Sequence, residues 1–218
     1  KRVVIPQGKK CRVHINLNCL ELFKGTGSVG KVLKKRGYNI ISLDFNKKYN
    51  PTHCEDILKF DYKQYPQDYF DIIWSSPDCK FYSCLQRTNI GSKVKKGIFK
   101  DYEEGKVWLE GKRQESDKLL EKIFEIIDYF QPRLWFVENP QTGDMKNRDI
   151  MKDKHYTDGD YCMYSKWGYR KRTRFWTNRT DVELKLCNKK CGNMIGRRHC
   201  NRLGFRPNCD KKGKKNMT

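Results

Sequence analysis

The sequence predicts an α/β fold: a doubly wound, mostly parallel sheet with a terminal hairpin, followed by a small Cys-rich tail. Three observations carry this expectation. Short apolar runs alternate with amphipathic segments, the pattern of strands joined by crossover helices. The run RLWFVEN, Arg133 to Asn139, is apolar almost without interruption, as a strand covered on both faces must be. Four of the ten cysteines crowd into the last 32 residues, where apolar residues thin out.

Taken in chain order, NCLELF (Asn18 to Phe23) reads as a strand and SVGKVLKKRG (Ser28 to Gly37) as a short helix. NIISLDF (Asn39 to Phe45) and FDIIW (Phe70 to Trp74) read as further strands. Leu119, Leu120, Ile123, Phe124, Ile126 and Ile127 recur at helical spacing, and the stripe stops before Gln131-Pro132. After RLWFVEN, the runs YCMYS (Tyr161 to Ser165) and RFWTN (Arg174 to Asn178) predict the hairpin pair. The segment Cys84 to Lys112 interrupts the pattern. It is basic, dotted with glycine and weakly apolar, and it predicts a long functional loop. A main domain over residues 1–180 and a basic tail over 181–218 follow from this division, and 218 residues suffice for one sizeable core with an appendage.

The balance of 47 Lys+Arg against 26 Asp+Glu gives a formal charge of +21, spread along the whole chain. A polyanionic partner, most simply nucleic acid, accounts for it; the plainer alternative is a solubilising or ribosome-associated basic surface. No apolar run approaches the roughly 20 residues that span a bilayer, and the first residues lack the apolar core of a signal peptide. A soluble, intracellular protein in a reducing compartment is expected, because six cysteines are scattered singly rather than set out as a disulfide framework.

ELFKGTGSVGK places Gly25, Gly27 and Gly30 after a strand and at the mouth of a helix, where glycine lets the backbone turn tightly and approach a ligand. Asp44 closes the next strand, where a carboxylate can accept hydrogen bonds from two ribose hydroxyls, and Asp56 lies near the expected end of a third, within reach of an adenine amino group. Both a dinucleotide and S-adenosylmethionine suit this arrangement. Cys79, in SSPDCKFYS, stands just beyond the C-terminal end of a buried strand, where open α/β sheets present their chemistry. The basic residues that follow supply the positive potential a thiolate needs.

These stretches together resemble the DNA cytosine-5 methyltransferases, in that family's order: ELFKGTGSVG for the cofactor loop, SPDCKFYS for the Pro-Pro-Cys loop, VENP for the Glu-Asn-Val motif and GYRKRTRFW for the Gln-x-Arg-x-Arg segment. The resemblance covers about residues 17 to 179. It implies a Rossmann-like S-adenosylmethionine-dependent methyltransferase fold and methylation of cytosine carbon 5 in DNA, with RNA as the other possible nucleic acid. It implies that Cys79 attacks carbon 6 of an extruded base, that Glu138 holds or protonates ring nitrogen 3 with Asn139 fixing its carboxyl group, and that Arg172 and Arg174 support the site. Lys171 would take roughly the Gln position. For the cofactor it implies Phe23, Gly25, Thr26, Gly27, Ser28, Gly30, Asp44, Phe45, Asp56, Ile57 and Pro77. The segment 84–112 would then be a mobile loop closing over the nucleic acid, and the compact chain suggests a viral, phage or mobile-element source. Asp78 stands where the family has a second Pro, and Lys80 where it has Gln; the usual target-recognition domain is absent or reduced to the tail. A rival reading, resting on those departures, is an inactive methyltransferase fold kept as a nucleic-acid-binding protein.

The tail is expected to bind zinc through Cys187, Cys191, Cys200 and Cys209, four thiolates that would hold together a segment with almost no apolar core. The alternative is a loose basic tail with incidental cysteines.

Overall fold

The computed structural model describes residues 17–166 and 168–200. Its sheet comprises β1 (Asn18–Leu22), β2 (Asn39–Leu43), β3 (Ile72–Ser75), β4 (Leu134–Pro140), β5 (Tyr156–Asp160) and β6 (Arg172–Thr177). The strands lie in the order β2-β1-β3-β4-β6-β5. The first four are parallel, while β6 runs antiparallel between β4 and β5. The order therefore reverses at β1, which has β2 on one side and β3 on the other, and the crevice at such a switch point is where open α/β sheets bind ligands.

Helices cover both faces. Leu20, Leu22, Ile73 and Val137 share one face through the ladder register and pack with Leu120, Ile123, Phe124, Ile127 and Phe130 of α3 (Tyr102–Phe130). Glu21 and Ile40 point to the other face, against α1 (Ser28–Lys35). The crossing there is close: a Cβ on Gly30 would run into Glu21 Oε2 and the Ile40 side chain, so Gly30 is needed for helix–sheet packing.

Three expectations change. The segment 84–112 is helical: it forms α2 (Leu85–Lys95) and the first turns of α3. Its apolar residues are too sparse to show a stripe, but Ile90, Phe99 and Leu109 close a small core across the two helices, joined by Phe81, Val94 and Trp108. Gly105 allows the approach, because a Cβ there would meet Ile90. Asp101 starts α3 by accepting a hydrogen bond from the Glu104 amide (2.8 Å). Second, YCMYS is not a strand. Tyr161–Met163 form a 3-10 turn, and β6 pairs instead with Tyr156–Asp160, whose polar sequence YTDGD hides its register from any apolar pattern. Third, the strand expected before Asp56 is reduced to a single parallel bridge between Leu43 and His53.

The arginines of β6 tie the antiparallel strands together. Arg172 donates two hydrogen bonds to Asp160 (3.0 and 2.7 Å), and Arg174 donates two to Asp158 (2.8 and 2.9 Å) while its guanidinium lies over the Tyr156 ring. Asp160 is fully buried, which would raise its pKa, but the Arg172 guanidinium and the Cys187 amide outweigh burial and hold it below the ordinary carboxylate range. Replacing Arg172 by alanine strands that carboxylate and is expected to cost about 3 kcal/mol in urea denaturation at pH 7. Because the folded pKa is depressed, this contribution is present above the unfolded value of about 3.9 and is lost as pH falls through the folded one, so the wild-type advantage should vanish in acid.

Candidate active site

Beyond the C-terminal ends of β1, β2 and β3 lies a cavity of about 320 Å³. It is lined by Phe23, Asp44, Phe45, Asp56 and Ile57, all expected at a cofactor, and by Leu43, Glu55, Asp78 and Leu119. Phe45 is 75% exposed at its rim, an aromatic face open to stacking. Phe23 has φ 54, a left-handed conformation that costs a bulky residue free energy and is typical of ligand-binding turns. Asp44 is already fixed: Oδ2 accepts from the Gly25 amide (2.8 Å) and Oδ1 from the Asn46 amide (2.9 Å). Each oxygen keeps a second lone pair for a ligand hydroxyl. Glu55 is a carboxylate of this cavity that sequence reasoning missed, its signal being only its place beside Asp56.

The glycine loop divides its expected roles. Gly25, Thr26, Gly27 and Gly30 line a separate cleft of about 600 Å³ on the α1 side, together with Lys24, Lys31, Lys34 and Lys48. Ser28 shares a hydrogen bond with Thr26 (3.1 Å). Glu21 holds the loop from beneath by accepting from the Gly30 amide (2.9 Å), and burial raises its pKa.

The loop after β3 carries Cys79. Pro77 is buried and Cys79 half-buried, and Asp78 is exposed. Asp78 Oδ1 accepts from the Lys80 amide (2.9 Å), closing an Asx turn around the cysteine. Gln86 on α2 donates to the Lys80 carbonyl (2.7 Å), and Tyr82 donates to Asp117 of α3 (2.8 Å). Arg148 clamps Asp117 in turn, and Arg113 pairs with Asp144 and donates to the Phe81 carbonyl (3.2 Å). The Cys79 loop is thus fastened to both helices and to the segment after β4.

β4 brings VENP alongside. Asn139, expected to fix Glu138, instead donates to the Pro77 carbonyl (3.1 Å), because successive strand residues face opposite sides. Glu138 is paired with a residue of softer expectation: Lys171 Nζ lies 3.2 Å from Glu138 Oε1. The register puts Arg174 opposite Asn139 and Phe175 opposite Glu138, so Arg172 and Arg174 project from the face away from Glu138 while Lys171 reaches it. The same ammonium acts on Cys79. Burial first, then the Asp78 and Glu138 charges, raise the thiol pKa, while the loop amide and Lys171 lower it; the sum lies above the ordinary cysteine range. Burial opposes the charge on Lys171, but Glu138 outweighs it and keeps that amine protonated. Asp78→Asn keeps the hydrogen-bond acceptor of the Asx turn and removes the charge. Alkylation of Cys79, followed by peptide mass spectrometry across pH 6–10, is therefore expected to shift toward lower pH in this variant; an unmoved profile would contradict the assigned role of Asp78.

In the tail, Cys187 and Cys191 come together as expected, but their companions are Cys162 and His199, all four ligand atoms lying within 4.8 Å of one another. Cys200 is a correction: its thiol points to the Gly168 carbonyl (3.5 Å), because on β8 (Arg198–His199), paired with β7 (Met194–Ile195), the neighbouring His199 faces the cluster. Cys209 lies outside the described residues. A His adjacent to the expected Cys200 was the available signal for His199; Cys162 had none, being brought in only by the fold.

No protein-family model matches the chain. It is 40% identical over 185 residues, 82% of its own length and 79% of the other's, to the protein of Frog virus 3 (isolate Goorha) named "Probable DNA (cytosine-5)-methyltransferase". Among solved structures it is similar to an E. coli prophage protein described as a "putative DNA modification methyltransferase", at TM-score 0.48 and 13% identity over 74% of this chain and 46% of that one. It is also similar to the methyltransferase EhMeth of Entamoeba histolytica, at TM-score 0.48 and 16% identity over 80% and 57%. The chain thus spans about half the length of those two structures. Among the described residues no helix is long and apolar enough to cross a membrane. With 40% identity to the viral protein across most of both chains, the protein belongs to the DNA (cytosine-5)-methyltransferase family.

Proposed function

We propose that this protein methylates carbon 5 of cytosine in DNA, using S-adenosylmethionine and a covalent adduct at Cys79. The single observation that carries the reading is the meeting of Cys79, Glu138 and Lys171 beside the Phe23–Asp44–Asp56 cavity, which Asp78 borders from the nucleophile loop. The cavity fits the cofactor's donor set. Asp44, Glu55 and Asp56 offer acceptors to ribose hydroxyls and an amino group, and Phe23, Phe45 and Ile57 offer apolar surface to a purine. When bound, S-adenosylmethionine supplies an electrophilic methyl group.

The chain's own residues do the rest. The Cys79 thiolate forms a bond from Sγ to carbon 6, and the ring electrons move to carbon 5, which becomes nucleophilic. Glu138, protonated, donates to ring nitrogen 3, where negative charge develops, and takes that proton back when the ring is restored; Lys171 holds the carboxyl group in place while keeping positive potential on the thiol. After carbon 5 is methylated, its proton passes to water and the Sγ–carbon 6 electrons return to sulfur, restoring the ring. Arg172 and Arg174 act as positioning residues, holding the β5–β6 ladder that Lys171 immediately precedes. The base must leave the stack to reach Cys79. The α2 unit, fastened to the nucleophile loop through Phe81 and Gln86, closes over the nucleic acid with Arg87, Lys95 and Lys96 exposed toward phosphate. A host cytoplasmic or nuclear setting, or association with the virion, fits eight described cysteines that form no disulfide with one another.

The test is mechanism-based trapping. DNA containing 5-fluorocytosine, with labelled S-adenosylmethionine, is expected to give a denaturant-stable protein–DNA adduct that maps to Cys79, because fluorine cannot leave carbon 5 as a proton does. Binding of both partners without any adduct, on duplex and single-stranded DNA alike, would overturn the reading.

A further inference from the structure

We propose that Cys162, Cys187, Cys191 and His199 hold one structural zinc ion that staples residues 181–200 onto the turn between β5 and β6. All four ligand atoms lie within 4.8 Å of one another, and two of their separations have the length of an edge of a tetrahedron around a metal. His199 Nε2 lies 3.5 Å from Cys187 Sγ and 3.5 Å from Cys191 Sγ. Zinc bonds of about 2.3 Å to sulfur and about 2.0–2.1 Å to nitrogen, at tetrahedral angles, give an S···N edge of about 3.6 Å. Three thiolates and one imidazole in that shape select zinc over the harder divalent cations. Four protein ligands leave no open coordination position, so the site is structural rather than catalytic.

The segment needs such a staple. Between Asp181 and Cys200 the only buried residues are Cys187 and Asn193, and Leu184 packs on Gly159. That is too little apolar surface to order some twenty residues, which cost roughly 1–2 kcal/mol each in backbone entropy alone. The surrounding hydrogen bonds are built around the ligands. The Lys189 amide donates to Cys187 Sγ (3.3 Å), the Cys187 amide donates to Asp160 (2.7 Å), and Asn193 donates to the carbonyls of Cys162 and Ser165 (2.9 Å each). Such outer contacts orient metal ligands. The staple also reaches toward the site, since Cys162 follows Tyr161, whose ring lies 5.0 Å from Lys171 Nζ.

The full chain, purified without chelator, is expected to carry about one zinc per molecule by elemental mass spectrometry. Replacing the metal with cobalt should give the thiolate charge-transfer and tetrahedral d–d bands of an S₃N site. Cys162→Ser should lose the zinc and Cys200→Ser should keep it. Should Cys162→Ser fail to fold, alkylation of wild-type protein decides: Cys162, Cys187 and Cys191 protected until a chelator is added, with Cys54, Cys84 and Cys200 labelled throughout. Zinc-free protein, a disulfide among Cys162, Cys187 and Cys191, zinc retained in a folded Cys162→Ser, or protection of Cys200 in place of Cys162 would each overturn the proposal. None of these readouts depends on methyl transfer.

Discussion

Cys79→Ser is expected to lower methyl transfer by at least about a thousandfold and to abolish the 5-fluorocytosine adduct, with S-adenosylmethionine and DNA binding unchanged. A hydroxyl has nearly the shape of the thiol, so the half-buried loop should keep its Asx turn and its ties to Asn139 and Gln86. What it lacks is a reachable anion: its proton is held far more tightly, and the addition to carbon 6 stops. Even the native thiol is mostly protonated at neutral pH, since burial and Asp78 raise its pKa. Wild-type single-turnover rates should therefore rise with pH through the neutral range, as the thiolate fraction grows about tenfold per unit below its pKa. Retention of a tenth of the activity in the serine variant, or a flat pH profile under conditions where chemistry limits, would remove Cys79 from the mechanism.

Glu138→Gln is expected to reduce kcat by about a hundred- to ten-thousandfold, the range for a misplaced general acid. The amide still reaches Lys171 but has no carboxyl proton or charge to offer nitrogen 3. Lys171→Met gives the complementary result. Removing the ammonium takes away a charge that lowers the Cys79 pKa, so the alkylation profile of Cys79 should move to higher pH, the opposite of Asp78→Asn. A structural role alone would lower stability and leave that profile where it is. Equal kcat in Glu138→Gln and wild type at saturating DNA and cofactor would refute the proton role.

Features written locally were legible in the sequence. The apolar runs give four parallel strands, the stripe ending before Gln131 gives the C-terminus of α3, and position after a buried strand singles out Cys79. Asp44, Asp56, Phe23 and Phe45 were identifiable as one site because each follows or flanks a recognisable strand. Less legible was α2, whose apolar residues make sense only against α3, and β5, whose pairing rests on Asp158 and Asp160 meeting Arg174 and Arg172 rather than on hydrophobic alternation.

By itself the sequence determined the sheet class, the family's motif order and the place of Cys79 beyond a buried strand, since these depend on neighbours within a turn or strand. Only the tertiary structure decided which side chain faces Glu138, which glycines pack rather than bind, and that Cys162 and His199 join Cys187 and Cys191. The physical reason is the same in each case: strand parity and chain crossing bring together residues distant in sequence, and no local pattern records which of them will meet.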